Sequence, residues 1–329
     1  MFPDRVLRLA GEILAARRQR TRLGRLATTS DLSGNKAPSR PIITSMRNRF
    51  AISGGAAVRA ARTAAALFFA VMAPAFADGL GGDAADRLRA VISGDHRAAG
   101  NKARDRYRHP FETLSFFAIS PGMTVVEIWP GGGWYTEILA PFLKGKGRYY
   151  AASWDRDSKS DFVQRTLRRY RDKLSARPDL YGEVIITELS RNKTDIAPPG
   201  TADMVLTFRN VHNWMRRGYE RTIFEAMFTA LKPGGVLGLI EHRGDPEVWP
   251  DPQALSGYVN EETVIDIAED VGFRLLAKSE ANANPLDTKD HPKGVWTLPP
   301  SLRLKEQDRD KYLSIGESDR MTLKFVKPG

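Results

Sequence analysis

The stretch Val125-Val-Glu-Ile-Trp-Pro-Gly-Gly-Gly-Trp-Tyr-Thr-Glu137 joins an apolar run to a three-glycine bend and then to a helical segment. Val125, Val126 and Ile128 are β-branched and almost continuous, the pattern of a strand covered on both faces. Gly131, Gly132 and Gly133 can take positive φ and bring main chain close to a ligand. The helix that follows offers free N–H groups and the positive end of its dipole. Pro130 fixes its own φ and biases Trp129 toward an extended conformation. Glu127, near the strand's carboxyl end, is an acid in apolar company and needs a polar partner. Asp155 follows 22 residues after Gly133, close to the ~20-residue separation at which an acid meets a ribose diol.

The surrounding chain repeats that rhythm. Further strands are expected at Gly147–Ser153, Glu183–Leu189, Asp203–Phe208, Val236–Glu241, Phe273–Ser279 and Arg320–Val326, after the first at Met123–Trp129. Between them, Trp134–Phe142, Asp161–Leu174, Tyr219–Leu231 and Glu261–Val271 have helical spacing. In the third of these, Ile223, Phe224, Met227, Phe228 and Leu231 form one apolar stripe. Alternation of this kind predicts an α/β fold with a doubly wound open sheet. Ala84–Ser93 and His96–Arg108 read as helices ahead of the first strand. The stretch at about 281–317 contains Asn284-Pro285, His291-Pro292 and Pro299-Pro300, and is long for a structureless loop. It reads as a lid, an insertion or a substrate-facing arm.

Taken in order, these motifs resemble those of the class I S-adenosylmethionine (SAM)-dependent methyltransferases over roughly residues 100–329. Glu127 with Gly131-Gly132-Gly133 is similar to the family's first motif, and Asp155 to the acid that holds the ribose hydroxyls. Ala202-Asp-Met-Val-Leu-Thr-Phe208 resembles the fourth strand, with Arg209-Asn210-Val-His212-Asn213 as its loop. Leu231-Lys-Pro-Gly-Gly-Val236 is the most specific match, resembling the turn into the fifth strand. Val271-Gly-Phe273 resembles the turn into the sixth, and Asp319 to Pro328 the last strand. One departure stands out: Trp129 occupies the place of the loop's usual first glycine. More narrowly, Glu127 to Tyr135 is similar to a group of predicted bacterial methyltransferases that often carry export signals.

The resemblance implies a Rossmann-like, seven-stranded, mostly parallel sheet whose last strand is antiparallel. It implies SAM as cofactor, held by Glu127, Trp129, Gly131, Gly133, Asp155 and Asn210, and methyl transfer to a small or medium-sized acceptor. The aromatic faces of Trp129, Trp134 and Tyr135 would tolerate a cationic sulfur, but core or pocket-wall packing is the expected role. His242, after the fifth strand, is the first candidate for a base and His212, after the fourth, the second. Each could equally serve a local hydrogen bond. His109, His212, His242 and an acid could converge on a metal, but their spacing is no ligand motif, so no metal is expected.

Other classes lack their signatures. The chain contains no G-x-S-x-G and no phosphate-binding G-x-x-x-x-G-K-[ST]. A dehydrogenase shares the sheet and the acid, but Leu-Lys-Pro-Gly-Gly argues against it. A non-catalytic periplasmic ligand-binding protein on the same fold is the remaining alternative. Zero cysteines exclude thiolate metal sites and disulfides.

The net charge of +11 is unevenly spread. Residues 1–77 hold 13 Lys and Arg against 3 Asp and Glu, while the remaining 252 residues hold 37 against 36. The basic excess belongs to the front of the chain, so no nucleic-acid partner is expected. From Met46 a basic stretch leads to the apolar run Ala64–Ala73 and then to Ala75-Phe-Ala77. That order describes a secretory signal peptide at 46–77 and a periplasmic protein. An uncleaved membrane anchor or a cytoplasmic location is the alternative. Residues 1–45 read as a disordered or untranslated extension, leaving 78–329 as the folded domain. The expected partner is a small-molecule substrate, with membrane contact only through the export signal; the sequence sets no oligomeric state.

Overall fold

The computed structural model describes residues 81–329; the extension and signal-peptide readings lie outside the described residues. The seven strands are β1 Thr124–Ile128, β2 Arg148–Ser153, β3 Ile185–Glu188, β4 Ala202–Phe208, β5 Leu231–His242, β6 Arg274–Ser279 and β7 Arg320–Val326. They form one sheet of order β3-β2-β1-β4-β5-β7-β6. Pairs β1–β2, β1–β4, β2–β3 and β4–β5 are parallel, whereas β7 runs antiparallel to both β5 and β6. This is the Rossmann-like sheet of the class I methyltransferase fold, as the motif order implied.

The helices number α1 Gly82–Ser93, α2 Ala99–Lys102, α3 Asp105–Arg108, α4 Pro110–Phe116 and α5 Thr136–Leu143 in the first half of the domain. They continue as α6 Asp161–Ala176, α7 Pro178–Tyr181, α8 Val211–Met215, α9 Glu220–Ala230, α10 Glu261–Val271 and α11 Arg309–Ile315. Alternate strand residues feed opposite layers, as the two-residue period of a strand demands. Val126, Ile128, Val205, Leu237 and Leu239 pack with Ile223, Phe224 and Met227 of α9 and Val264 of α10. Val125, Met204 and Leu206 pack on the other side with Ile138, Leu139 and Phe142 of α5 and with Leu114 and Phe117. Covered on both faces, β1 and β4 are buried almost end to end.

Three local expectations change. The segment 96–108, expected as one helix, splits into the four-residue helices α2 and α3. Gly100 lowers helix propensity there, and Arg97 ties Asp105 in a double hydrogen bond at 2.6 and 2.8 Å. The loop after β4 coils into α8, carrying His212 in its first turn. The Lys232-Pro-Gly-Gly235 turn lies inside the bounds of β5 as an irregularity, where pairing jumps from Ala202↔Leu231 to Met204↔Val236.

Residues 281–317 hold one 3-10 turn, Gly294–Thr297, and α11. Buried side chains pin the segment to the domain. Asn282 donates to Thr113 at 2.9 Å and to Thr322 at 3.0 Å. Asp287 accepts from the Tyr258 hydroxyl at 2.8 Å and from the Asp319 N–H at 2.7 Å.

Candidate active site

The chain reverses direction across the sheet between β1 and β4, and in open α/β sheets ligands bind outside the strand ends at that point. A cavity of about 280 Å³ lies there. Its wall includes Glu127, Trp129, Gly131, Gly132 and Asn210, together with Trp154 and Phe208. Asn101 of α2, Arg104 just before α3 and Arg108 of α3 belong to the same wall. Four of the six residues expected at the cofactor, Glu127, Trp129, Gly131 and Asn210, therefore face one hollow.

Gly131 has φ +62 and Gly133 φ +77, conformations that L side chains resist. A Cβ on Gly131 or Gly132 would meet nothing within 4 Å, whereas one on Gly133 would press Tyr170 at 3.2 Å and Lys173 at 3.1 Å. The first two glycines thus border open space, and the third allows close packing under the loop. The Gly133 N–H donates to Pro130 at 2.9 Å, while the amides of Gly131 and Gly132 have no acceptor among the described residues.

Glu127 is buried at the cavity floor, where Tyr149 and Thr136 donate to its carboxylate. Burial pushes its pKa up to about 7, partly offset by those two hydroxyls. Asn210 ties the ends of β1 and β4 together, its Nδ2 donating to the Ile128 carbonyl at 3.0 Å. Trp129 sits at φ +48, a strained value for a bulky residue. Its Nε1 donates to the Leu189 carbonyl at 3.1 Å, and its ring stacks on Trp154 with centroids 5.3 Å apart. These contacts fix the indole at the start of the glycine loop.

Asp155 is placed differently. It is absent from the cavity wall, and Lys193 Nζ bridges it at 2.6 Å with Asp157 at 2.9 Å and Glu188 at 2.6 Å. The Lys193 hydrogen bond and the Asp157 N–H hold the Asp155 carboxyl below its usual range. Asp155, Asp157 and Glu188 have the spacing of a cation site, with a lysine ammonium lying among them.

A second cavity, of about 260 Å³, adjoins the first and shares Arg104, Arg108 and Arg209 with it. His212 and His242 both line it, their rings 5.4 Å apart. Glu241, fully buried beneath them, accepts from His212 Nδ1 at 3.0 Å and from the His242 N–H at 2.8 Å. His242 Nδ1 lies 2.5 Å from Ser318 Oγ. Burial first, then the charges of His212, Arg209, Arg320 and Arg108, push the His242 pKa well down.

His212, Glu241 and His242 could also gather round a metal ion, their ligand atoms lying within 4.8 Å of one another. His109 is no part of that group; it sits at φ +39 before α4, its Nδ1 buried without a partner.

Sequence reasoning missed the charged wall. Glu317 is bound by Arg104 at 2.5 Å, by Arg108 at 3.4 Å and by Arg320, and Arg209 lies 3.7 Å away. Burial alone would raise the Glu317 pKa, but Arg320 and Arg108 hold it far below the carboxylate range. Burial and Arg320 push Arg209 down to about 10. The one local signal was the basic run Arg104-Asp-Arg-Tyr-Arg108.

No family model matches the sequence, and no curated protein matches it. Solved structures do. A SAM-dependent methyltransferase from Aquifex aeolicus is similar at 16% identity, TM-score 0.47, over 74% of this chain and 98% of that one. The cyclase SpnF matches at 15% identity, TM-score 0.46, over 75% and 93%. An arsenic(III) SAM methyltransferase from Chlamydomonas reinhardtii matches at 14% identity, TM-score 0.42, over 74% and 73%. The fold is established by the strand order and register described above, and its function is argued from the site.

Proposed function

We propose that this chain is a SAM-dependent methyltransferase acting on a small or medium-sized acceptor. The observation that carries the reading is the pair of amides at Gly131 and Gly132, without an acceptor among the described residues, beside buried Glu127. They open on a cavity that shares its arginine wall with the histidine cavity. This donor and acceptor set fits the amino-acid end of SAM: free amides for its carboxylate, Glu127 for its ammonium. When bound, SAM supplies an electrophilic methyl group on a sulfonium that leaves as the neutral thioether.

The chain's own contribution is position and proton handling. Methyl transfer is an in-line displacement, so aligning the acceptor and excluding water supply much of the rate. His242 is the first candidate to take a proton from an acceptor that starts protonated. Its Nε2 makes no hydrogen bond with the described residues, while Nδ1 is held by Ser318. His212, oriented by Glu241, is the second. The same reading takes residues 46–77 as a cleaved signal and residues 78–329 as a periplasmic enzyme.

Calorimetry of the purified chain with S-adenosylhomocysteine tests the assignment. Saturable binding is expected, and no heat at about 1 mM ligand removes it. The engagement of Asp155 by Lys193, off the cavity wall, favours a second reading, a ligand-binding protein without methyl transfer. Asp155→Ala separates the two. It weakens S-adenosylhomocysteine binding if the acid holds a ribose and leaves ligand behaviour unchanged if it only anchors Lys193.

A further inference from the structure

The second cavity is unusually rich in cations for its size. Arg104, Arg108, Arg209 and Arg320 all reach its wall, and Glu317 is the one carboxylate among its lining residues. That carboxylate is shared by all four guanidinium groups, so among the described residues none has a counter-ion of its own. Arg108 and Arg320 are buried, and the Nε of Arg320 donates to nothing. Concentrating charge in this way is costly unless something negative completes the set.

The histidine pair could suggest a metal ion in the same place. Glu241, however, already accepts from the His212 and His242 amides and from His212 Nδ1. A cation would also enter facing four guanidinium groups. The field favours the opposite sign.

We propose that this cavity is an anion subsite that seats a carboxylate or phosphate of the methyl acceptor, held by Arg104, Arg209 and Arg320 beside His242. This identification of the acceptor's chemistry rests on the methyltransferase reading; the anion subsite itself does not. Planar arginine forks match either oxyanion in two-point fashion. Val295, Trp296 and Pro299 also line the cavity and suit an apolar body beside the charged group. The acceptor is thus a small organic acid with an apolar portion, and the shared arginine wall sets its reacting end toward the glycine loop.

The test uses the purified full chain, without any nucleoside, titrated with benzoate, phenyl phosphate and neutral benzamide while tryptophan fluorescence is followed. Saturable binding of at least one anion, weakened by added salt, is expected, with no response to benzamide. Which anion binds tells a carboxylate site from a phosphate site. Arg209→Met and Arg104→Met, both at partly exposed positions, should each weaken that binding by about tenfold or more. Circular dichroism checks that both variants fold, and Arg221→Met, on the surface of α9, should bind as the parent does. The proposal is overturned if neither anion saturates by about 10 mM, if both wall variants bind like the parent, or if benzamide binds equally well. A chain that takes S-adenosylhomocysteine but no anion loses this inference alone. One that takes the anion but no S-adenosylhomocysteine keeps the subsite and loses the methyl donor.

Discussion

Glu127 couples the glycine loop to pH. Its carboxyl is buried and titrates near 7, against an ordinary value of 4.5. Between those two pH values the folded protein keeps a proton that the unfolded chain has released. Stability therefore falls as pH rises through this window, reaching its full loss above about 7. Glu127→Gln stays neutral and removes that slope, while its amide oxygen can still accept from Tyr149. Urea unfolding at pH 5 and pH 8 should show the parent losing about 2–3 kcal/mol more than the variant over that interval. Parallel pH profiles would mean that the carboxylate ionises freely in the fold. The sequence exposed this acid because a charge inside Val-Val-Glu-Ile is anomalous on sight. It did not expose the lysine beside Asp155. Lys193 lies 38 residues away, and nothing in local spacing says which acid a flexible ammonium reaches.

At the scale of elements, the sheet was readable because its strands are covered on both faces and leave apolar runs in the chain. The observed bounds of β7 match its expected span, and those of α10 likewise. The failures are short helices. A four-residue helix is marginal by itself and is held by tertiary contacts that leave no periodic trace. Arg104 and Arg108 bind a carboxylate more than 200 residues further on. The charged wall is thus assembled by the topology, from α3, the end of β4 and the start of β7, and no window of sequence contains it. Another element-scale fit is Gly238 in β5, whose missing side chain leaves room for Phe117 after α4. A Cβ there would lie 2.6 Å from Leu206 Cδ2 and 2.8 Å from the Phe117 ring. Gly238→Ala should cost about 1–3 kcal/mol through overpacking, read from urea unfolding. An unchanged midpoint would show that Phe117 can shift freely off the sheet.

Across the whole chain, the decisive division is between residues 1–77, which carry nearly all the net charge, and a remainder that is close to neutral. The apolar run Ala64–Ala73 is about half the length that spans a bilayer, and a small-residue site follows it. Among the described residues, no helix is long and apolar enough to cross a membrane. Cleavage after Ala77 would leave the first described helix intact, because α1 starts at Gly82. That helix is tied to its neighbours by Arg87, which donates to the carbonyls of Pro141, Phe142 and Lys144 at 2.8 to 3.0 Å. Leu88, on the same helix, is fully buried in the second core layer. The signal-peptide reading therefore makes two linked predictions. Mass spectrometry of the protein from its native cell should find an N-terminus at Asp78, and a chain of residues 78–329 should unfold at the same urea concentration as the full one. An intact Met1 would refute export by cleavage. A shortened chain that unfolds earlier would show that the basic front segment belongs to the folded body, because α1 would then need support that Arg87 and Leu88 do not give.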